Sequence, residues 1–188
     1  MKKGFTLLWL YAITGLLFDI VTSIMLSGHL IKSIFADVYY IIEFLFISRY
    51  YRDNSGVLFN KYYKHIVCTI LFVFISYNLF KTDFHHLSKG LSLSAAMFFY
   101  FTYILYSLNG FYTIIKEQKI IFIEKSAIFW ANIAFLIYGS GMLFLILSYD
   151  FLWVTNLALL NNLWQPIACS INILEFLVLT LALTSKNP

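Results

Sequence analysis

The sequence predicts an all-α membrane protein, a bundle of about six transmembrane helices with both termini in the cytoplasm. Three observations predict it: apolar runs of spanning length, too little charge for a water-facing surface, and cations gathered at alternate connections. Of the 188 residues, 61% are hydrophobic and 12% are Asp, Glu, Lys or Arg, with a mean hydropathy of +0.81. A soluble domain carries roughly 25% charged residues, so this chain has about half the charge such a surface needs. Aromatics reach 20%, with 20 Phe and 14 Tyr. A bilayer accommodates them, Phe toward lipid and Tyr or Trp near the interfaces. No polar stretch is long enough for a second, soluble domain, so residues 1–188 read as a single polytopic transmembrane domain.

The six runs are Phe5–Met25, Leu30–Tyr50, Tyr62–Phe80, Leu91–Phe111, Ile123–Leu147 and Trp164–Leu183. Each approaches the roughly 20 residues that a helix needs to cross hydrocarbon. Lys2 and Lys3 ahead of the first run resemble a signal peptide, but the run is too long and contains Asp19, so a retained helix is expected. Orientation follows from the cations. Lys2, Lys3, Arg49, Arg52, Lys61, Lys64, Lys116, Lys119, Lys125 and Lys186 fall on one side, ten of the thirteen Lys and Arg. Only Lys32, Lys81 and Lys89 remain for the other. That asymmetry places the first set in the cytoplasm. The segment Ser148–Asn162 has no Lys or Arg and reads as an outer interfacial loop, with room for a short helix in the headgroup layer. Pro166 suits the first turn of the last helix, where its missing N–H matters little. Gly139-Ser140-Gly141, one face along from Ala127 and Ala131, suggests close helix packing.

Three acids fall inside the runs: Asp19, Glu43 and Glu175. A charge at the centre of a membrane helix costs roughly 2.5–3.5 kcal/mol on insertion scales, so such residues face the bundle interior. Helical spacing aligns Tyr11, Gly15, Asp19 and Thr22 on the first run, and Lys32, Tyr39 or Tyr40, Glu43 and Tyr50 on the second. Gln165, Cys169, Asn172 and Glu175 form a stripe on the last, while the fifth contributes Asn132. At about 1.5 Å per residue, Glu43, Glu175 and Asn132 are expected at similar depths, with Asp19 and Asn172 nearer the outside. Glu43, Glu175, Asn132, Asn172, Asp19, Tyr39 and Tyr40 are therefore the candidate polar site. Two readings stay open for it: a ligand or ion site, or protonated acids that bond a neighbour and glue helices together.

The catalytic signatures are missing. No Gly-rich phosphate loop, His-Glu-x-x-His pair or Cys-x-x-Cys pair occurs, and Gly139-Ser140-Gly141 is no nucleophile elbow. His85 and His86, after Asp83, read as a solvated loop, and His65 as an interfacial anchor. Cys68 and Cys169 lie within apolar runs and read as buried, inert thiols. No catalytic residue, metal or cofactor is expected, and the net charge of +4 reflects membrane flanks, not nucleic-acid binding.

The runs Tyr39-Tyr40-Ile41-Ile42-Glu43-Phe44 and Asn161-Asn162-Leu163-Trp164, followed by the Asn172-bearing last helix, give the chain a resemblance to a known group. It loosely resembles uncharacterised small multi-pass inner-membrane proteins of the Bacteroidota, a likeness that implies the bacterial inner membrane. The expected function is a non-enzymatic sensory, regulatory or accessory module, one that acts with a partner protein of a signalling or defence system. The alternative is a small proton- or cation-linked transporter or channel using its intramembrane acids. The partners expected are the lipid bilayer and a membrane or cytoplasmic protein or a second copy of the chain, with no nucleic acid.

Overall fold

The computed structural model describes residues 3–24, 29–54, 57–81, 93–117 and 126–185, and everything below concerns these. They form six α-helices, one for each apolar run, in the order α1 (Lys3–Ile24), α2 (His29–Asn54), α3 (Val57–Lys81), α4 (Leu93–Glu117), α5 (Ala127–Thr155) and α6 (Leu157–Thr184). No strand occurs among the described residues. The chain divides into two compact units, Met1–Phe99 and Tyr100–Pro188, each described here by itself.

In the first unit α1 and α2 form an antiparallel hairpin. Tyr11 meets Glu43, and Phe18 stacks on Tyr39 with ring centroids 4.0 Å apart, so α2 runs back along α1. The core is an aromatic column: Phe99 stands between Phe44 at 4.6 Å and Phe74 at 4.4 Å, both near-parallel to it. It ties together α2, α3 and the first turns of α4. Arg52 sits in the last turn of α2, where a cation complements the helix dipole.

In the second unit α5 and α6 pack against each other as a hairpin. The expected loop over Ser148–Asn162 is instead helical except at Asn156. One residue serves both helices. Its backbone N–H donates to the Leu152 carbonyl at 2.8 Å and closes α5, while its side-chain oxygen accepts from the Leu159 N–H at 3.0 Å and opens α6. The hairpin is symmetric about that residue, with Gly141 against Ile171 and Tyr149 against Trp164 at 4.9 Å. Because α6 starts at Leu157, Pro166 lies inside the helix and not in its first turn. There it removes the donor that would bond the Asn162 carbonyl. The early start of α6, enabled by the Asn156 cap, is what moves proline to the interior.

Two helical stretches among the described residues, Ala127–Tyr149 and Asn162–Thr184, are long and apolar enough to cross a membrane; Thr6–Phe18 is apolar but shorter. The expectation of six such helices is met by two of them among the described residues. The other helices have the length but carry more polarity. Lys32, Asp37, Glu43, Arg49, Arg52 and Asp53 fall on α2, Lys61, Lys64 and His65 on α3, and four tyrosines with Asn109 on α4.

Several serine and threonine hydroxyls bond back to their own helix. Ser107 donates to the Tyr103 carbonyl, Ser140 to Leu136, Thr155 to Phe151 and Ser170 to Pro166, all at 2.6–2.8 Å. Such back-bonding one turn away lets a serine or threonine face an apolar medium without an unmet donor.

Candidate functional site

In the first unit the hairpin brings one acid to a partner that the sequence spacing assigned elsewhere. Glu43, 1% exposed, accepts at Oε1 from the Tyr11 hydroxyl at 3.2 Å. Tyr11 shares a face of α1 with Asp19, but antiparallel pairing places its level opposite Glu43. The signal was present: Tyr11 and Glu43 are nearly equidistant from the connection around residue 27. Tyr39 and Tyr40 are half-buried, with Tyr39 stacked on Phe18. The side chain of Asp19 lies outside the described residues. Its backbone position is eight residues beyond Tyr11, about 12 Å along α1 toward the connection to α2.

In the second unit the polar groups separate into layers. Pairing of Gly141 with Ile171 puts Glu175, 1% exposed, at the height of Tyr138 on α5. Tyr138 in turn packs edge-on against Tyr100 at 5.4 Å and lies parallel to Tyr103 at 6.3 Å. All three rings are buried. Phenols both donate and accept, so this layer brings three polar but ring-packed groups to the height of a buried carboxylic acid.

Asn132 belongs to a different height. It is fully buried, and a Cβ on residue 110 would stand 2.5 Å from both its amide nitrogen and oxygen, so Gly110 makes the room it occupies. Neither amide atom has a hydrogen-bond partner among the described residues. An unmet buried amide costs about 1–3 kcal/mol. By the hairpin register Asn132 faces the level of Thr180, about 7 Å along the axis from Glu175. The expected common level of the two is therefore offset by more than a turn, because α5 and α6 extend past the boundaries read from apolarity. Asn172 is half-buried on α6, and its side-chain oxygen is buried with no hydrogen-bond partner among the described residues.

Both cysteines correct the sequence reading: Cys68 and Cys169 are free and exposed. An apolar run marks a helix that avoids water, but it does not say which face meets protein and which meets the medium outside. Cys169 lies with Gln165 on the outward face of α6. His65, Thr69 and Phe72 likewise turn outward on α3.

No protein-family model, curated protein or solved structure matches the chain. The residues and their geometry therefore carry the functional reading.

Proposed function

We propose that the chain is a multi-pass protein of the bacterial inner membrane that acts as a non-enzymatic sensory, regulatory or accessory module alongside a partner membrane protein. The observation that supports this most is the outward polar stripe of α6. The stretch Asn162–Thr184 is apolar enough to cross a bilayer, yet few of its residues, Glu175, Leu179 and Ala182, are buried within the chain. Asn162, Gln165, Cys169 and Ser170 are exposed on it. A spacing of three and four residues keeps Asn162, Gln165 and Cys169 on one face. Amide side chains turned toward hydrocarbon are unfavourable unless another helix bonds them, and interhelical amide contacts of this kind stabilise by about 0.6–2 kcal/mol. The occupant of this face is a transmembrane helix of the partner, carrying amide or hydroxyl groups near the level of Gln165.

Cys169 allows a direct test. With Cys68 replaced by serine, a benzophenone attached to Cys169 in native membranes is expected to capture a second protein on illumination. Asn162→Leu with Gln165→Leu should reduce that product severalfold. A labelled chain that stays monomeric after illumination would reject the partner reading, and a product of twice the chain's mass would assign the face to a second copy instead.

The six-span arrangement with both termini inside belongs to the same proposal. Its support is the one-sided placement of ten cations and the lengths of α1 to α4, 22 to 26 residues each. At 1.5 Å per residue these helices run about 33–39 Å, enough for the hydrocarbon core. Outward-facing Phe72, Tyr112 and Ile115, all more than 60% exposed, suit lipid better than water. Reporter fusions at Asn54, Lys119 and the C-terminus are expected to signal cytoplasm, and those at His86 and Asn156 the outside. A single reversed fusion would break the arrangement.

A further inference from the structure

The first unit contains an open groove of about 680 Å³, lined by Thr6 and Leu7 of α1, Ile42, Leu45, Phe46, Arg49 and Asp53 of α2, and Tyr63 of α3. That volume lies within the range of small-molecule sites, about 300–1,000 Å³. Its chemistry is divided along α2. Leu7, Ile42, Leu45 and Phe46 supply an apolar trough, and Arg49, one helical turn further, begins a charged rim.

The rim carries unbalanced positive charge. Arg52 engages Asp53 through two nitrogens, at 2.8 and 2.9 Å, and lies over the Tyr63 ring at 5.3 Å. Arg49 reaches the same carboxylate only through Nε, at 3.4 Å, and its side chain is 49% exposed. One carboxylate thus serves two guanidinium groups. Lys61 and Lys64, both exposed near the start of α3, add two more cations at this end.

A hydrocarbon trough that opens onto a guanidinium at a basic helix end is complementary to an amphiphile with an anionic head. We propose that the groove holds one anionic phospholipid, its phosphate on Arg49 and an acyl chain along Leu7, Ile42, Leu45 and Phe46. Basic pockets between helices on the cytoplasmic side bind such headgroups, and a guanidinium forms paired hydrogen bonds with phosphate oxygens. Asp53 then sets the affinity, since it competes with the phosphate for Arg49. The inference rests on the membrane reading of this unit and is independent of the partner proposed for α6.

The test uses the full-length protein, purified in mild detergent and titrated with phosphatidylglycerol or phosphatidylcholine while bound lipids are counted by native mass spectrometry. One phosphatidylglycerol per chain is expected to bind in preference to phosphatidylcholine. Arg49→Gln should weaken it roughly fivefold, the effect of one basic residue near an anionic surface, and Asp53→Asn should tighten it by a similar factor. Leu45→Trp, which fills the trough and leaves the charges alone, should also weaken it. Equal binding of the two lipids, or an Arg49→Gln variant indistinguishable from wild type, overturns the proposal. Alkaline extraction of the same protein from phosphatidylglycerol vesicles separates the premises. Protein that stays in the membrane yet shows no lipid preference removes the lipid site alone, and protein that washes off removes the membrane reading with it.

Discussion

Phe99→Ala is expected to destabilise the first unit by about 3 kcal/mol. Phe99 is 1% exposed and forms the middle of a stack with Phe44 and Phe74, which are 0% and 2% exposed. Its ring therefore touches two helices at once, and its removal leaves a void that neither neighbour can close without breaking its own packing. Truncation of a buried Phe to Ala typically costs about 3–5 kcal/mol. On the membrane reading proposed above the lower end applies, because lipid around the unit is as apolar as the core, so lost dispersion and the cavity dominate over hydrophobic transfer. Phe99→Leu should recover about half of the loss. Thermal unfolding in detergent, followed by far-UV circular dichroism, reads both. A Phe99→Ala variant that melts with wild type would mean that the column is not the core of this unit.

The number and order of the helices are legible in the sequence, since each apolar run is one helix. Which side of each helix faces inward is legible only where polarity marks it. Glu43, Glu175 and Asn132 declare themselves because an amide or acid in an apolar run must be covered, and all three are buried. Cys68 and Cys169 carry no such mark, and a chain that is 61% hydrophobic has apolar residues on both faces of every helix. The α5–α6 turn misleads for a different reason. Asn156, Asn161 and Asn162 together look like a loop, yet a single asparagine can end one helix and begin the next, and the flanking leucines then continue the helical pattern. The pairing of Tyr11 with Glu43 needed the turn position as well as the spacing along each helix. The groove beside Arg49 was hidden because its rim looks like an ordinary cytoplasmic flank.

Gly139→Leu is expected to prevent the second unit from folding. A Cβ at position 139 would lie 2.9 Å from the Tyr100 carbonyl oxygen and 3.2 Å from the Ile104 Cγ1 and Tyr103 Cβ atoms. The nearest obstacle is backbone, which cannot turn aside as a side chain does, so α4 and α5 must separate. Tyr100, Tyr103 and Tyr138 pack around this point, and a separation of even one methyl group opens the layer at the height of Glu175. Overpacking of a close contact costs about 1–3 kcal/mol, which sets the expected loss for Gly139→Ala. Leucine adds three more carbons against the same backbone and exceeds it. Gly141→Ala should be milder. The Cβ there would meet the Ile171 side chain at 3.0 Å, a contact whose flexible end can move. Ser140→Ala, on the exposed face between them, should be close to neutral. Comparing unfolding temperatures of the four variants separates a true helix contact from a general intolerance of this segment. If Gly139→Ala melts no lower than Gly141→Ala, the close approach of α4 to α5 at Gly139 is wrong.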